Sequence, residues 1–404
     1  MNQATLLLAA ATLSLIPATA ALAQDKPAEA VTAYADIRYR LELVDQNGLP
    51  NDATASTVRI KAGLRTIEWH GFSGLVEVEG IALLGNESFN DTVNGKVAYP
   101  VVADRPDVQL NQAYVRWRPD ARFDVTAGRQ VINLENQRWV GSVGWRQNDQ
   151  TLDAVRLTAR PAKGLGLDYL YSWRVNRVFG PDSAQGIWRN TDVHSVRATY
   201  GINGAGTLSV YGLWLDIPAS AAMGSQTFGV RIAGERKLGH GASLLYAAEY
   251  ARQQDQGINP NRFGLDYFLF EPGLKLGGLT LKGGFEQLEG NGTVALQTPL
   301  ATLHAFNGWA DKFLTTPANG LRDVYLDASY KLPGKGPLGG LTVRIKWHDF
   351  NSSVGGLDYG REWDASLSLP LGNSISFTAK LARYDANAFA TDTTKVWFQF
   401  EAKF

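Results

Sequence analysis

The chain has 404 residues, of which 45% are hydrophobic, and it balances 39 lysines and arginines against 39 acidic residues. Zero formal charge argues against a nucleic-acid binder, which needs a basic surplus; the absence of cysteine suits an oxidising envelope without proving export. Beyond the first residues no apolar run approaches the ~20 residues of a spanning helix.

The amino-terminal stretch MNQATLLLAAATLSLIPATAALAQ has an apolar core from Leu6 to Ile16 and a small-x-small site at Ala21, Leu22 and Ala23. It predicts a signal peptide over 1–23, cleaved after Ala23, and a mature chain over 24–404. No lysine or arginine precedes the apolar core, so either the amino terminus supplies the positive charge or translation starts elsewhere.

Strand signals follow from residue 31. YADIRYRLEL sets Ala35, Ile37, Tyr39, Leu41 and Leu43 on one face and Asp36, Arg38, Arg40 and Glu42 on the other. TVRIKAGLR repeats the scheme, with Val58, Ile60, Ala62 and Leu64 against Arg59, Lys61, Gly63 and Arg65. The pattern returns in LVEVEG (75–80), LDYLYSW (167–173), LSVYGLW (208–214), LLYAAEY (244–250), LTVRIKW (341–347), ISFTAKL (375–381) and KVWFQFEAKF (395–404). Tight turns such as RPDAR (118–122), INGAG (202–206) and LPLGN (369–373) alternate with longer polar loops near 45–55, 86–107, 135–150, 176–191, 218–225, 254–262, 289–321, 350–356 and 385–392.

About eighteen strands, short turns on one side and long loops on the other predict an all-β fold, a transmembrane antiparallel barrel with periplasmic turns and extracellular loops. A soluble sandwich would have to bury arginines, lysines and acids strand after strand, at several kcal/mol per unpaired ion. In a barrel the apolar faces meet outer-membrane lipid and the charged faces line water, while closure satisfies every backbone group. Tyr39, Trp117, Tyr171, Trp173, Trp214, Tyr250, Trp347 and Trp363 fall near strand ends on the apolar face, as girdle aromatics do. The final strand must pair with the first, and Phe404 at its end resembles the signal read by the barrel assembly machinery. Arg361 shares the parity of Tyr359 and Trp363, so it sits at headgroup level or a bulge shifts the phase.

Chemical motifs are few. GKGPLG (334–339) matches a glycine-rich nucleotide loop in letters, but it joins two strands and opens no helix. His194 and Ser195 are adjacent on a strand and point to opposite faces, so they cannot act as base and nucleophile. The five histidines show no metal spacing, and NESFNDTVNG (86–95) reads more readily as a solvated loop than as a calcium site. No enzyme, cofactor or metal centre is expected.

The lumen carries the functional signal. Parity turns Arg38, Arg40, Arg59, Lys61, Arg65, Arg116, Arg156 and Arg174 inward from the first half of the chain, with Arg129 and Arg138 flanking a long loop. Asp266, Glu286, Asp327, Glu362 and Asp364 are expected inward from the second half, on strands across the lumen. One reading is a wet wall of paired charges; the other is a basic ladder for an anionic solute, since arginine forks match carboxylates.

GRQVINLENQRWVGSVGWRQNDQTLDAVRL (128–157) resembles the alginate-export family of outer-membrane proteins. The likeness rests on Gly128-Arg129-Gln130, Arg138-Trp139-Val140-Gly141, Trp145-Arg146-Gln147 and Gln150-Thr151-Leu152-Asp153-Ala154, with QLNQAYVRWRP (109–119) also family-like. Gln150 and Leu152 depart from the family's Arg and Phe. The resemblance implies a monomeric eighteen-stranded barrel with an arginine-rich constriction partly closed by loops. The expected function is an outer-membrane channel passing polar or anionic solutes by diffusion, an acidic oligosaccharide or polysaccharide among them. The alternative is a porin-like nutrient uptake channel with no role in polysaccharide export.

Overall fold

A chain whose strands are apolar on one face and charged on the other has to close on itself in lipid, and in the computed structural model it does. The structure describes residues 30–404; the expected leader and its cleavage site lie outside the described residues. The strands are β1 (Val31–Gln46), β2 (Ala53–Thr66), β3 (Phe72–Leu83), β4 (Asp107–Asp120), β5 (Phe123–Gln130) and β6 (Thr151–Ala162). There follow β7 (Leu165–Asn176), β8 (Ile187–Ile202), β9 (Gly206–Asp216), β10 (Ser225–Gly239), β11 (Ala242–Asp255) and β12 (Gly264–Leu276). The last six are β13 (Leu279–Leu288), β14 (Leu321–Lys331), β15 (Thr342–Asn351), β16 (Asp358–Pro370), β17 (Ile375–Ala386) and β18 (Thr393–Lys403). Each pairs antiparallel with its neighbours in sequence, in one 18-stranded sheet.

Closure is made by β18 on β1, with Leu43 opposite Val396 and Tyr39 opposite Phe400. Phe404 donates its backbone N–H to the Ala35 carbonyl at 2.9 Å, so the ladder runs to the last residue. The terminal alternation thus serves barrel closure. Outward positions are apolar and exposed, among them Val210, Val230, Leu326, Ile345 and Trp363. Inward positions carry the charge: Arg38, Arg40, Glu42, Arg59, Lys61, Glu77 and Glu79 are all buried inside the barrel.

The interior is not a simple water-filled tube. The loops at 131–150 and 289–320 fold into the lumen and build a hydrophobic core there. Trp139, Val140, Leu296, Leu300, Trp309 and Phe313 pack with inward strand residues Leu213, Leu265, Tyr267, Phe350, Tyr384 and Trp397. The strands around the loops therefore present apolar side chains inward at that height, interspersed with charged ones such as Glu42, Glu249 and Lys395 that bind the loops.

Several register shifts interrupt the strands, and two of them bear on residues singled out in the sequence. On β7, Trp173 is an extra residue: Ser172 pairs with Ala154 and Arg174 with Asp153, so the strand turns over between them. On β16, Gly360 at φ +119 separates Tyr359, buried in the core, from Arg361, which faces out and pairs with Asp349 at 2.9 Å. The second of the two options for Arg361, a bulge, holds, and the charge is outward as well.

Candidate functional site: the loop plug and its outer vestibule

The two infolded loops lock to each other through backbone. Gly141 donates its N–H to the Leu300 carbonyl at 2.8 Å, and Thr302 donates to the Gln137 carbonyl at 3.0 Å. Gln150 sends its amide to the carbonyls of Gly141 (2.8 Å) and Leu300 (2.9 Å), stapling both loops. A Cβ on Gly141 would strike the Thr302 hydroxyl and Gln137, so only glycine allows the contact.

Ion pairs fasten the loops to the wall. Arg146 bridges Glu42 of β1 (3.1 Å) and Asp311 of the second loop (2.9 Å), and Lys395 of β18 reaches Asp311 at 2.8 Å. Arg38 donates to the carbonyls of Gly144 (3.1 Å) and Arg146 (3.2 Å). Lys380 of β17 is caged by aromatic rings, 3.8 Å from the centroids of both Trp145 and Trp309, and contacts His304 Nε2 at 2.7 Å. His304 stacks on Trp145 at 4.9 Å, and its Nδ1 lies 2.7 Å from Asp311. Burial, aided by Lys380, pushes His304 down to about 3, so its ring is neutral and Nε2 can accept from Lys380 Nζ.

Above this plug, on the long-loop side, lies a cavity of about 390 Å³. Val97, Tyr99, Val178, Phe179, Pro299 and Leu303 give it apolar walls. Its charged lining is Arg146, Arg177, Lys312 and Lys395 with one carboxylate, Asp311. Arg146 and Lys395 are already paired, whereas Lys312 donates to the Gln46 amide oxygen (3.1 Å) and Arg177 stacks on Trp188 (4.2 Å). Among the described residues neither has a carboxylate in salt-bridge range. Burial, with Lys395 nearby, pulls Lys312 down to about 8, and burial pulls Arg177 down to about 10. Both retain charge at neutral pH and have capacity for an anion.

The basic positions read from parity are distributed differently from the expected wall. Arg38, Arg40, Arg59, Lys61, Arg65, Arg116 and Arg156 do turn inward. Their charge is locally neutralised: Arg38 by Glu401 (3.2 Å), Arg40 by Asp104 (3.3 Å), Arg59 by Asp36 (2.6 Å), Lys61 by Glu79 (3.2 Å) and Arg156 by Asp168 (2.6 Å). Arg116 pairs with Asp124, and Arg65 stacks over Tyr34 at 5.6 Å. Arg138 is inside the plug, bound to Glu286 (3.0 Å) and Asn307 (3.0 Å).

Three residues expected in the lumen face outward. Arg129 and Arg174 both stand beside Asp153 on the outer face. Arg129 pairs there by register, and Arg174 is turned over by the Trp173 bulge. Asp266 faces out beside Phe268 and pairs with Arg252 at 2.9 Å, because Leu265, Tyr267 and Leu269 turn inward to meet the plug. Glu286, Asp327, Glu362 and Asp364 are inward as expected, but Asp327 pairs with Arg344 and Glu362 accepts from the loop N–H of Ala310 at 2.7 Å. Opposed basic and acidic walls give way to an interleaved network. Sequence reading missed the vestibule cations Arg146, Arg177, Lys312 and Lys395; three lie in loops, where alternation carries no facing information.

The geometry defines an eighteen-stranded barrel of the outer-membrane type with a loop plug in its lumen. No family model matches the chain, and no curated protein matches it. Solved structures do. OpdL of Pseudomonas aeruginosa is 18% identical, with a TM-score of 0.69 over 93% of this chain and 98% of that one. OccAB2 of Acinetobacter baumannii is 15% identical, with a TM-score of 0.71 over 92% and 98%. The outer membrane protein opdK of Pseudomonas aeruginosa, also solved with vanillate, is 13% identical, with a TM-score of 0.71 over 92% and 98%. At these identities the likeness is one of fold.

These neighbours correct the resemblance to the alginate-export family drawn from 128–157: the barrels similar to this chain are Occ and Opd proteins. The motif letters have a structural cause. Gly128 (φ +128) lets β5 approach the Ala113 carbonyl, Arg138 fastens the loop to Glu286, and Gln150 staples it to Leu300. A loop folded into a barrel needs such residues whatever passes through.

Proposed function

We propose that this chain is an outer-membrane uptake channel for small organic anions, working by diffusion and without catalytic chemistry. The observation that carries the reading is the vestibule: apolar walls, four cations and one carboxylate around a cavity of about 390 Å³. That volume is in the range of small-molecule sites, ~300–1,000 Å³, and the loops folded into the lumen lie directly beneath it. An apolar body with a carboxylate head suits such a lining, because the walls take the body and Lys312 and Arg177 take the head. The vanillate found with the similarly folded opdK is a molecule of that kind and supports the same direction. Export of an acidic polysaccharide finds no support in the site.

The test is proteoliposome uptake of an aromatic monocarboxylate against its neutral amide. The carboxylate is expected to enter faster, with the difference shrinking in Lys312→Met and Arg177→Met. Equal entry of both solutes, or a cation-selective pore in planar bilayers under a salt gradient, overturns the reading. A terminal role for Phe404 in assembly belongs to the same proposal: its deletion should lower the yield of folded barrel while export across the inner membrane continues.

A further inference from the structure

Three arginines gather where a barrel is expected to be apolar. Arg129, Arg174 and Arg189 lie at the long-loop ends of β5, β7 and β8, on the outward face, by pairing with Ala113, Asp153 and one another. Trp173 and Tyr171 stand just below them on the same face, the level of an aromatic girdle. Charge on the lipid face is tolerated there because the headgroups are within reach.

Their charge is under-matched. Asp153 binds Arg129 in a fork (2.6 and 3.1 Å) and is 3.7 Å from Arg174 Nε, which also donates to Asn176 at 2.9 Å. Arg189 is exposed and has no carboxylate partner among the described residues. Of the other acids on this face, Asp192 is engaged by His194 at 2.9 Å, and Asp216 lies one strand further on, opposite Asp192. Elsewhere on the outward face several charges come in matched pairs, Arg252 with Asp266, Arg361 with Asp349 and Arg383 with Asp385. The lone Arg322 is bonded to the Gln287 amide and faces no second arginine across the ladder.

Arg174 and Arg189 are directly opposed across the β7–β8 ladder, an arrangement that repels. Among the described residues another arginine pair is directly opposed across a ladder, Arg38 and Arg59 on the inward face. There the protein supplies an anion between them: Glu401 lies 3.2 Å from Arg38 and 3.6 Å from Arg59. On the outward face Asp153 reaches Arg174 but, among the described residues, no carboxylate reaches Arg189 or bridges the two.

We propose that Arg174 and Arg189, with Arg129 beside them, bind a phosphate of the phosphorylated glycolipid of the outer leaflet, lipid A and its core. A tetrahedral phosphate accepts from two guanidinium forks at once, which replaces the repulsion by shared donation. The site holds the barrel's β5–β8 sector to its lipid and is independent of what the lumen carries.

The test titrates the purified, folded barrel in detergent with bis-phosphorylated lipid A and counts bound lipid by native mass spectrometry. Dephosphorylated lipid A and inorganic phosphate serve as the other arms. Arg174→Gln/Arg189→Gln leaves the Arg129–Asp153 pair in place and is expected to weaken lipid A binding at least tenfold, with binding of the dephosphorylated lipid unchanged. Heat-modifiable mobility checks that the variant folds; the single Arg189→Gln, at an exposed and unpaired position, provides a milder version with a smaller loss. Equal lipid A binding by wild type and the folded double variant overturns the proposal. So does displacement of lipid A by equimolar inorganic phosphate, which would make the site one for the free anion.

Discussion

The infolded loops meet two unlike walls. Against β1 and β16–β18 they are held by charge as well as by rings: Arg146 between Glu42 and Asp311, Lys395 on Asp311, Lys380 in its ring of tryptophans, with Phe313 packed 6.0 Å from Tyr359 and Tyr384. Against β9, β11 and β12 they are held by rings and aliphatic side chains, with Trp139 5.3 Å from Tyr267 and 5.9 Å from Tyr211. Glu249 collects the polar edges of that cluster, accepting from the Trp139 indole (2.7 Å), the Tyr211 hydroxyl (2.6 Å) and Arg231 (2.7 Å). The vestibule opens beside the charged wall, and two of its four cations, Arg146 of the first loop and Lys395 of β18, belong to the pairs that fasten the plug there. An anion of the proposed kind would compete for the cations that fasten the plug on that side, whereas the ion pairs of the aromatic side, Glu135 with Arg197 (3.3 Å) and Arg231 (3.5 Å), do not line the vestibule. The charged wall is where a solute can loosen the loops, and the aromatic wall is the side on which they stay anchored.

Breaking the charged wall should have the largest effect. Arg146→Met leaves Glu42, wholly buried, without its partner, and removal of one member of a buried pair costs about 3–5 kcal/mol. We expect a lower urea midpoint and a larger, noisier single-channel current as the loops leave the wall. Adding Glu42→Gln should recover most of the stability, because the orphaned charge is then gone. A single variant with wild-type current and midpoint would mean that the aromatic wall alone holds the plug.

Sharpening the other side needs a gentler change. Trp139→Phe keeps a ring between Tyr211 and Tyr267 but removes the donor to Glu249, and an unsatisfied buried acceptor costs about 1–3 kcal/mol. Because Glu249 retains Tyr211 and Arg231, the loss should lie at the low end, with current unchanged. An open-state current from this variant would show that the aromatic side also gates.

The same contrast explains what could be read from the chain. Alternation placed Arg38, Arg59, Glu362 and the closing strand correctly, because a lipid face tolerates no error of phase. It failed at Asp266, where the inward face had been assumed polar and is instead apolar: Leu265 and Tyr267 pack on a plug whose loops show no periodicity. It failed at Arg174 because one extra residue, Trp173, reverses the strand within two positions. The interleaving of the charges was not legible for a related reason. Asp104, Asp149 and Asp311, which neutralise Arg40, Lys61 and Arg146, all come from loops. The 128–157 stretch stands out in the sequence, but its residues report an infolded loop and not what the loop admits.

The smallest expected effect is the most selective, since it concerns an uncommitted cation on the charged side. Lys312, pulled down to about 8 by burial first and then by Lys395, is mostly protonated at pH 7 and mostly neutral at pH 9. His304 at about 3 is neutral throughout that interval, and Arg177 at about 10 stays largely charged. Raising the pH from 7 to 9 should therefore remove one positive charge from the vestibule with the Arg146 and Asp311 clasp intact. The anion-to-cation permeability ratio from reversal potentials should fall severalfold across that range, the fall centred near pH 8, with total conductance little changed. Lys312→Met should start at the low ratio and show no such step. The Lys312→Arg variant should hold the high ratio to pH 9, since a guanidinium does not titrate there. If the step persists in Lys312→Met, the titrating group lies elsewhere on the charged wall, and the anion is being read by the plug's own fastenings and not by the free cation above them.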